Sequence, residues 1–365
     1  MTKPPRTMKA VLLKGHGGYD QLEFRDDVLV PVPGADEVLL RVMAAGLNST
    51  DINTRTGWYS KSVTRDSTAA DDGPGFLTSP QEDSAWTGSA PVFPRIQGAD
   101  ACGEIVAVGT RVDANRIGTR VIVDPVIRSP VHGVGARPMY FGSDWDGAFA
   151  EFAKVPAVNA RPVSSTLSDV ELACFPCAYS AAENMLTRAD LKNGETVLIT
   201  GASGGVGSAA VQLAKRRGAH VIAVAGASKS ALVQSLGASR VLPRQADLVA
   251  EIGLESVDVV VDIVGGPQFP QFLKILIPTG RYAVAGAIAG PIVDLDLRTL
   301  YLKDLRLLGC TIPDPNIFDN LLRYIQRAEV RPVVARTYPL SAIADAQRDF
   351  LRKQHTGKIV LLPAA

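Results

Sequence analysis

Thr196–Gly218 reads TVLITGASGGVGSAAVQLAKRRG, and the rest of the chain is organised around it. Thr196–Thr200 is a short, mostly β-branched apolar run, which suits a strand buried on both faces. Gly201–Gly207 is too rich in glycine for helix or strand. Ser208–Arg217 carries apolar residues at helical spacing (Ala210, Val211, Leu213, Ala214) and closes in basic residues before Gly218, as a helix does. Strand, glycine turn and helix in that order open a dinucleotide-binding fold. Ser203, Gly204, Gly205, Val206 and Gly207 are expected to meet a pyrophosphate through backbone N–H groups at the helix start. The pattern departs from G-x-G-x-x-G at one point, where Ala202 stands in place of the first glycine.

The chain has 365 residues, enough for two domains with separate cores. Its 46% apolar and 21% charged residues are ordinary for a globular enzyme. A net charge of +1 gives no reason to invoke nucleic acid or an anionic membrane. No apolar run reaches the roughly 20 residues that span a bilayer. The opening MTKPPRT lacks the apolar core of an export signal, and four cysteines make no disulfide framework. Cytoplasmic residence is the expectation.

Met8–Leu13 and Val38–Ala45 read as strands separated by the turn-rich Pro31–Gly34, and Gly103–Val108 and Arg120–Val126 as further strands. Asn48–Tyr59 contains a short helix. Asp146–Val155 returns to strand. Such strands without helices between them predict a compact β-rich first domain. Ser60–Pro94 is rich in Ser, Thr, Asp, Gly and Pro without periodicity, and is either a surface insertion or an active-site lid. Ser168 and Glu171 have capping-box spacing at the start of a helix that runs through Cys174–Leu186. Beyond it strand and helix alternate: His220–Ala225, Lys229–Leu236, Val257–Val261, Phe269–Leu276, Gly280–Gly286. This alternation demands a parallel sheet with helices on both faces, hence an α/β class with a doubly wound Rossmann domain. Helices follow from Ile317 and near Ala342–Arg352, and the last strand, Lys358–Leu362, returns to the first domain.

In an NAD-binding fold an acidic residue after the second strand holds the adenine ribose. Here His220–Ala225 is followed by Gly226-Ala227-Ser228-Lys229, with no carboxylate to repel a 2′-phosphate. Ser228 can donate a hydrogen bond, Lys229 supplies charge, and Arg244, just after the next strand, can clamp phosphate. NADPH is therefore preferred over NADH. Asp262 is placed to organise the turn beside the cofactor, where Val264 is a further contact.

Several motifs together identify a resemblance to the medium-chain dehydrogenase/reductase superfamily. They are Ala44-Ala45-Gly46-Leu47-Asn48, Gly98-Ala99-Asp100 with Gly103 to Gly109, Asp146–Glu151 (DGAFAE), the glycine turn, and Thr356–Leu361 (TGKIVL). The resemblance covers nearly the whole chain apart from Ser60–Pro94. It implies a GroES-like β-rich catalytic domain of residues 1–160 and 326–365, with 60–94 as insertion, and a Rossmann nucleotide-binding domain of residues 161–325. It also implies that Gly286 and Ala287, like Cys310-Thr311-Ile312, run past the nicotinamide. Lys358 in TGKIVL is implied either as a cofactor-phosphate contact or as half of a salt bridge.

Zinc alcohol dehydrogenases of this superfamily carry a catalytic Cys, a His-Glu pair after a glycine, and a second Cys. Those positions resemble Asn48, Ala99-Asp100 and Cys177 in this chain, so only one ligand survives, whereas catalytic zinc wants about three. The four-cysteine structural lobe is also missing, since Asp124–Tyr140 contains no Cys. No metal is expected, and Cys174-x-x-Cys177 reads as packing. His132 lies in the loop that replaces the lobe and reads as a surface histidine.

What remains resembles the zinc-free quinone oxidoreductases and 2-enoyl thioester reductases. In the segment from Asn48 to Tyr59, the tyrosine matches that family's proton donor. A phenol can protonate an enolate, and Asn48 can orient nicotinamide or substrate; the alternative is that Tyr59 packs at the mouth of the site. Asp51 and Arg55 at i, i+4 spacing can pair structurally. Two other functions stay open: an alcohol dehydrogenase with a different metal arrangement, and a non-catalytic NADPH-binding protein of the crystallin kind. The resemblance implies a small-molecule substrate and a homodimer joined at an edge strand near Gly280–Ala289.

Overall fold

The structure, a computed structural model, describes residues 4–67, 82–128 and 137–364. Its elements begin with β1 (Thr7–Leu13), β2 (Leu22–Leu29), β3 (Glu37–Gly46) and α1 (Ser49–Thr56). Then come β4 (Arg95–Ile96), β5 (Cys102–Val108), β6 (Arg120–Val123), β7 (Val126–Ile127), β8 (Met139–Tyr140), β9 (Phe152–Pro156), β10 (Ala160–Pro162) and α2 (Asp169–Leu172). A regular βα alternation follows: α3 (Pro176–Arg188), β11 (Thr196–Ile199), α4 (Gly205–Arg216), β12 (His220–Val224), α5 (Ser230–Leu236), β13 (Arg240–Leu242), α6 (Leu248–Ile252) and β14 (Val257–Asp262). It continues with α7 (Phe269–Ile275), β15 (Leu276–Val284), α8 (Leu297–Leu302), β16 (Arg306–Gly309) and α9 (Pro315–Gln326). The chain closes with β17 (Val334–Pro339), α10 (Ile343–Leu351) and β18 (Lys358–Leu362).

The chain divides into two compact units: Met1–Val63, Ala70–Cys177 and Pro332–Ala365 form the first, and Thr64–Ala69 with Ala178–Arg331 the second. β10 pairs with β6 through Ala160, Arg161 and Pro162, which ties 160–162 to the first unit's sheet.

In the first unit the central sheet runs β10-β6-β5-β3-β18-β17, with β9 also on β3, and β2-β1-β4 forms a second sheet. The apolar faces of β1, β3, β5 and β6 close one core with Phe141, Phe149 and Ile359. β2 went unread in the sequence because LEFRDDVL is mostly solvent-exposed, so its pattern reports water on both sides more than a core. Two expected elements are shorter than the sequence implied. The helix from Ser168 stops at Leu172 and restarts at Pro176, whose ring cannot continue the earlier helix. In Asp146–Val155 only the end is strand. Gly147, Ala148 and Phe149 instead donate their N–H groups to Ile96, Gly98 and Gln97, and a Cβ on Gly147 would stand 2.4 Å from Gly98 O. DGAFAE is thus a packing motif around Gly98. His132 lies outside the described residues, as do residues 68–81 of the insertion.

In the second unit β13-β12-β11-β14-β15-β16 form one parallel sheet in the order 3-2-1-4-5-6. Val197, Leu198 and Ile199 of β11 are fully buried, as a strand covered on both faces requires. The turn to α4 needs Gly207, where a Cβ would meet Gly201 O at 2.2 Å. The dimer edge expected near Gly280–Ala289 is corrected: β15 is paired on both sides, by β14 and β16, and β16 is the edge strand.

Candidate active site

The second unit carries a candidate cofactor site at the carboxyl end of its sheet. β11 and β14 are neighbours where the strand order reverses, the point at which open α/β sheets take ligands. Asp262, fully buried at the end of β14, ties this point together. Its carboxylate accepts from Thr200 Oγ1 and Tyr282 Oη, each at 2.5 Å, and from the N–H groups of Val264 and Gly265. Burial and the Asp262 charge push the Tyr282 phenol well up. The loop so fixed brings Val264 to the glycine turn and Gly286 to the loop itself: a Cβ on Gly201 would lie 3.3 Å from Val264, and one on Gly286 2.8 Å from Ile263 O. Ala287 continues that segment, where Ala289 N–H donates to Val264 O at 2.8 Å.

α4 starts at Gly205 with Gly204 as an extended N-cap that offers no side chain. The first N–H groups of a helix have no helical acceptor, so Gly205, Val206 and Gly207 present donors at the strand ends, while Gly204 N–H donates to Gly201 O at 3.0 Å. Ser228 and Lys229 sit in the 3-10 turn after β12. Burial lowers the Lys229 ammonium, and the nearby charge of Arg244 lowers it further. The Arg244 guanidinium stands 3.8 Å from where a Cβ on Gly226 would be. No ion pair involves Arg244 among the described residues. A glycine-capped helix start at the strand ends suits the pyrophosphate of a nicotinamide dinucleotide.

The first unit carries its own cluster of candidate residues. β3 runs into Leu47 and Asn48, and Asn48 caps α1, its own N–H donating to Asp51 Oδ2 at 2.8 Å. Asp51 is buried and also accepts from Gly98 N–H at 3.2 Å. Burial pushes its carboxyl up to about 7, against the pull of those N–H groups and of Lys358. Gly57, in the left-handed region, ends α1 and turns Trp58 and Tyr59 off it. Burial pushes the Tyr59 phenol up to about 12, while Thr50 and Asn53 beside it oppose the shift. The phenol therefore keeps its proton throughout the neutral range.

Two further aromatic residues had no signal in the sequence. Tyr140 donates from its hydroxyl to Cys177 Sγ at 3.2 Å, and the Trp86 ring stacks on Tyr140 with centroids 4.5 Å apart. Tyr140 and Cys177 lie within electrostatic reach of Tyr59. Trp86 comes from the described end of the insertion, which also buries Ser84 and Ala85 in the first unit. Burial pushes both Cys174 and Cys177 up to about 12, so neither is a thiolate, in line with packing.

Three residues singled out in the sequence find these partners. The Asn48 carboxamide, expected to orient nicotinamide or substrate, is engaged on both sides: Oδ1 accepts from Lys358 Nζ, and Nδ2 donates to Asp100 Oδ2 at 2.9 Å and Gly46 O at 3.3 Å. Of the two readings of Lys358, phosphate contact or salt bridge, the structure holds the salt bridge, with Asp100. Lys358 is 3% exposed and its ammonium donates to Leu47 O at 2.8 Å, Asn48 Oδ1 and Asp100 Oδ2 at 2.7 Å, which uses all three hydrogens. Asp51 and Arg55 do not pair with each other. The fully buried Arg55 donates to Gln347 Oε1 and Gly17 O and lies over the Tyr19 ring.

The positions that resemble zinc ligands do converge, since Asp100 also accepts from Cys177 N–H at 2.6 Å. Their donors do not suit zinc: an amide, one carboxylate and a neutral thiol, with an ammonium already seated among the oxygens. Among the described residues no group of three or more His, Cys, Asp or Glu is placed to hold a metal. No described helix is long and apolar enough to cross a membrane.

Residues 34–165 match the alcohol dehydrogenase GroES-like domain, and residues 205–327 the zinc-binding dehydrogenase domain. Along 97% of its length the chain is 31% identical to an acryloyl-coenzyme A reductase of Metallosphaera sedula, covering 99% of that protein. It is 28% identical to the quinone oxidoreductase of Mus musculus, over 99% of this chain and 100% of that one. A crystal structure from Sinorhizobium meliloti, assigned as an alcohol dehydrogenase, superposes with a TM-score of 0.87 at 46% identity, covering 99% of this chain and 98% of the other. With its Rossmann sheet, its GroES-like unit and these relatives, the chain belongs to the medium-chain dehydrogenase/reductase family, of the quinone oxidoreductase and enoyl reductase type.

Proposed function

We propose that the protein is an NADPH-dependent, zinc-independent reductase of small molecules, acting on an α,β-unsaturated carbonyl, enoyl thioesters included, or on a quinone. The observation that carries this reading is the Lys358 ammonium seated among Leu47 O, Asn48 Oδ1 and Asp100 Oδ2. With a fixed monocation at that position, the chemistry left to the first unit is proton supply to a reduced acceptor. That matches the activities named for the Metallosphaera and mouse relatives.

Ser203–Gly207 bind the pyrophosphate, and Ser228, Lys229 and Arg244 hold the 2′-phosphate. Val264, Gly286 and Ala287 line the nicotinamide. Bound there, a dihydronicotinamide supplies hydride. Tyr59 donates its phenolic proton to the α-carbon of an enone once the β-carbon is reduced, and water returns the proton to Tyr59. For a quinone the same phenol protonates an oxygen. Burial suits Tyr59 to this work, because a phenol held up to about 12 stays charged with its proton until a stronger base appears. The Trp86–Tyr140 stack is the apolar wall for the acceptor.

A reducing compartment fits four free cysteines. A homodimer joined through the edge strand β16 fits the exposed Leu302 and Leu307. The deciding experiment measures NADPH and NADH consumption by metal-analysed enzyme over quinones, enones and enoyl thioesters. NADPH preference with substoichiometric zinc supports the proposal; NADH preference or stoichiometric zinc sinks it.

A further inference from the structure

The three oxygens around Lys358 come from two separate stretches of chain, residues 47–48 and Asp100, and converge on one nitrogen. Asp100 is fully buried and extends the junction to Cys177 N–H at the start of α3, while its Oδ2 also takes Asn48 Nδ2. These are the segments that a catalytic zinc bridges in the resembling alcohol dehydrogenases. The cation arrives instead from β18, which pairs with β3 through Val360 and Gly46, so Lys358 is carried to the end of β3 by strand register. Such a pair is costly to bury unless every donor and acceptor is satisfied, and here they are: three acceptors for the ammonium, three donors for the carboxylate.

We infer that Lys358 is a resident cation that takes the place of a bound metal at this junction, and that it acts as a positioning residue for the candidate residues of the first unit. It touches neither cofactor nor acceptor. It neutralises Asp100, clamps the Asn48 carboxamide, and through Asp100 fixes the start of α3 at Cys177, on which Tyr140 is hydrogen-bonded. Its effect on turnover rests on the reductase reading above; its effect on structure does not.

An oxygen nest that holds an ammonium should accept one from outside. Lys358→Ala removes a propylammonium and leaves Asp100 with an uncompensated charge. The expected result is a lower melting temperature and a kcat for enone reduction reduced about 10- to 100-fold, with the KM for NADPH unchanged, because the site loses position and not cofactor contacts. Added ethyl- or propylammonium chloride should restore both the melting temperature and kcat, and tetramethylammonium at equal ionic strength should not. Lys358→Met, which fills the space without charge, should be impaired and unresponsive. Asp100→Asn combined with Lys358→Met should melt higher than Lys358→Met alone, since no lone carboxylate remains. A Lys358→Met protein indistinguishable from the native one overturns the inference. So does a folded Lys358→Ala protein that ignores primary amines. If Lys358→Ala does not fold, a double variant no more stable than Lys358→Met overturns it. Melting is read without substrate, so an amine-responsive protein that reduces nothing would refute the reductase reading and leave the resident cation standing.

Discussion

Arg244 lies near enough to Lys229 for its charge to lower the lysine's proton affinity, so two cations crowd the carboxyl ends of neighbouring strands β12 and β13. Under the proposed function these two cations serve an anion, and Gly226 leaves the space between strand end and guanidinium open. A terminal phosphate on the adenine ribose would relieve the repulsion.

Arg244→Ala and Lys229→Ala should each raise the KM for NADPH about 10-fold and leave that for NADH within about 2-fold, since one charge-assisted hydrogen bond is worth on the order of 1.5–3 kcal/mol. NADPH binding should weaken with added salt, and less so in Arg244→Ala. Titration of both cofactors against the three proteins checks this; equal losses for NADH and NADPH would refute the phosphate assignment.

The elements that carry the proposed cofactor residues were legible in the sequence because they are local to strand ends in a fixed order. A glycine turn follows β11, a short polar turn follows β12, and Arg244 follows β13. The cluster around Lys358 in the first unit was not. Lys358 and Asp100 are 258 residues apart, and only the pairing of β18 with β3 brings them together. TGKIVL shows a strand with a lysine at its start, not what that lysine meets. Tyr140 and Trp86 likewise gain meaning only by stacking, and Asn48 shows an amide but not the direction in which it turns.

Tyr59→Phe isolates the proton. If the phenol protonates the enolate carbon, enone reduction should fall roughly 10²–10⁴-fold with the KM for NADPH kept. Quinone reduction should suffer less, since a quinone's developing oxyanion needs less help and, with the phenol gone, can take its proton from water. Steady-state rates on one enone and one quinone suffice. An unchanged enone rate would assign Tyr59 to packing.

Asp51 gives the fold a pH dependence of definite sign. Its folded pKa, about 7, lies above the roughly 3.9 of an unfolded aspartate, so the native state holds a proton that the unfolded chain releases. The stabilisation from this group is complete below about pH 4 and is lost as the pH rises to about 7. Asp51→Asn cannot titrate and should flatten that part of the curve while losing an acceptor for Asn48 N–H or Gly98 N–H. Melting temperatures of both proteins from pH 4 to pH 8 should converge towards neutrality, and parallel curves would rule the assignment out.

Asp262 separates a fixed loop from a merely buried carboxylate. It receives two hydroxyls and two N–H groups, so Asp262→Ala strands four donors in a dry place, while Asp262→Asn keeps one oxygen for Thr200, Val264 and Gly265. Unsatisfied buried donors cost about 1–3 kcal/mol each. Asp262→Ala should therefore fail to fold or melt far lower. Tyr282→Phe removes a single donor from an oxygen that Gly265 still occupies, and should cost about 1 kcal/mol. In Asp262→Asn the new amide faces the Tyr282 hydroxyl, which can turn and accept, but it opposes Gly265 N–H. The loop carrying Val264 should loosen, raising the KM for NADPH several-fold while kcat at saturation changes little. Denaturation curves and NADPH titrations of the three proteins test the order Tyr282→Phe, Asp262→Asn, Asp262→Ala. An Asp262→Asn enzyme with native NADPH affinity would show that the carboxylate holds the sheet end and not the cofactor loop.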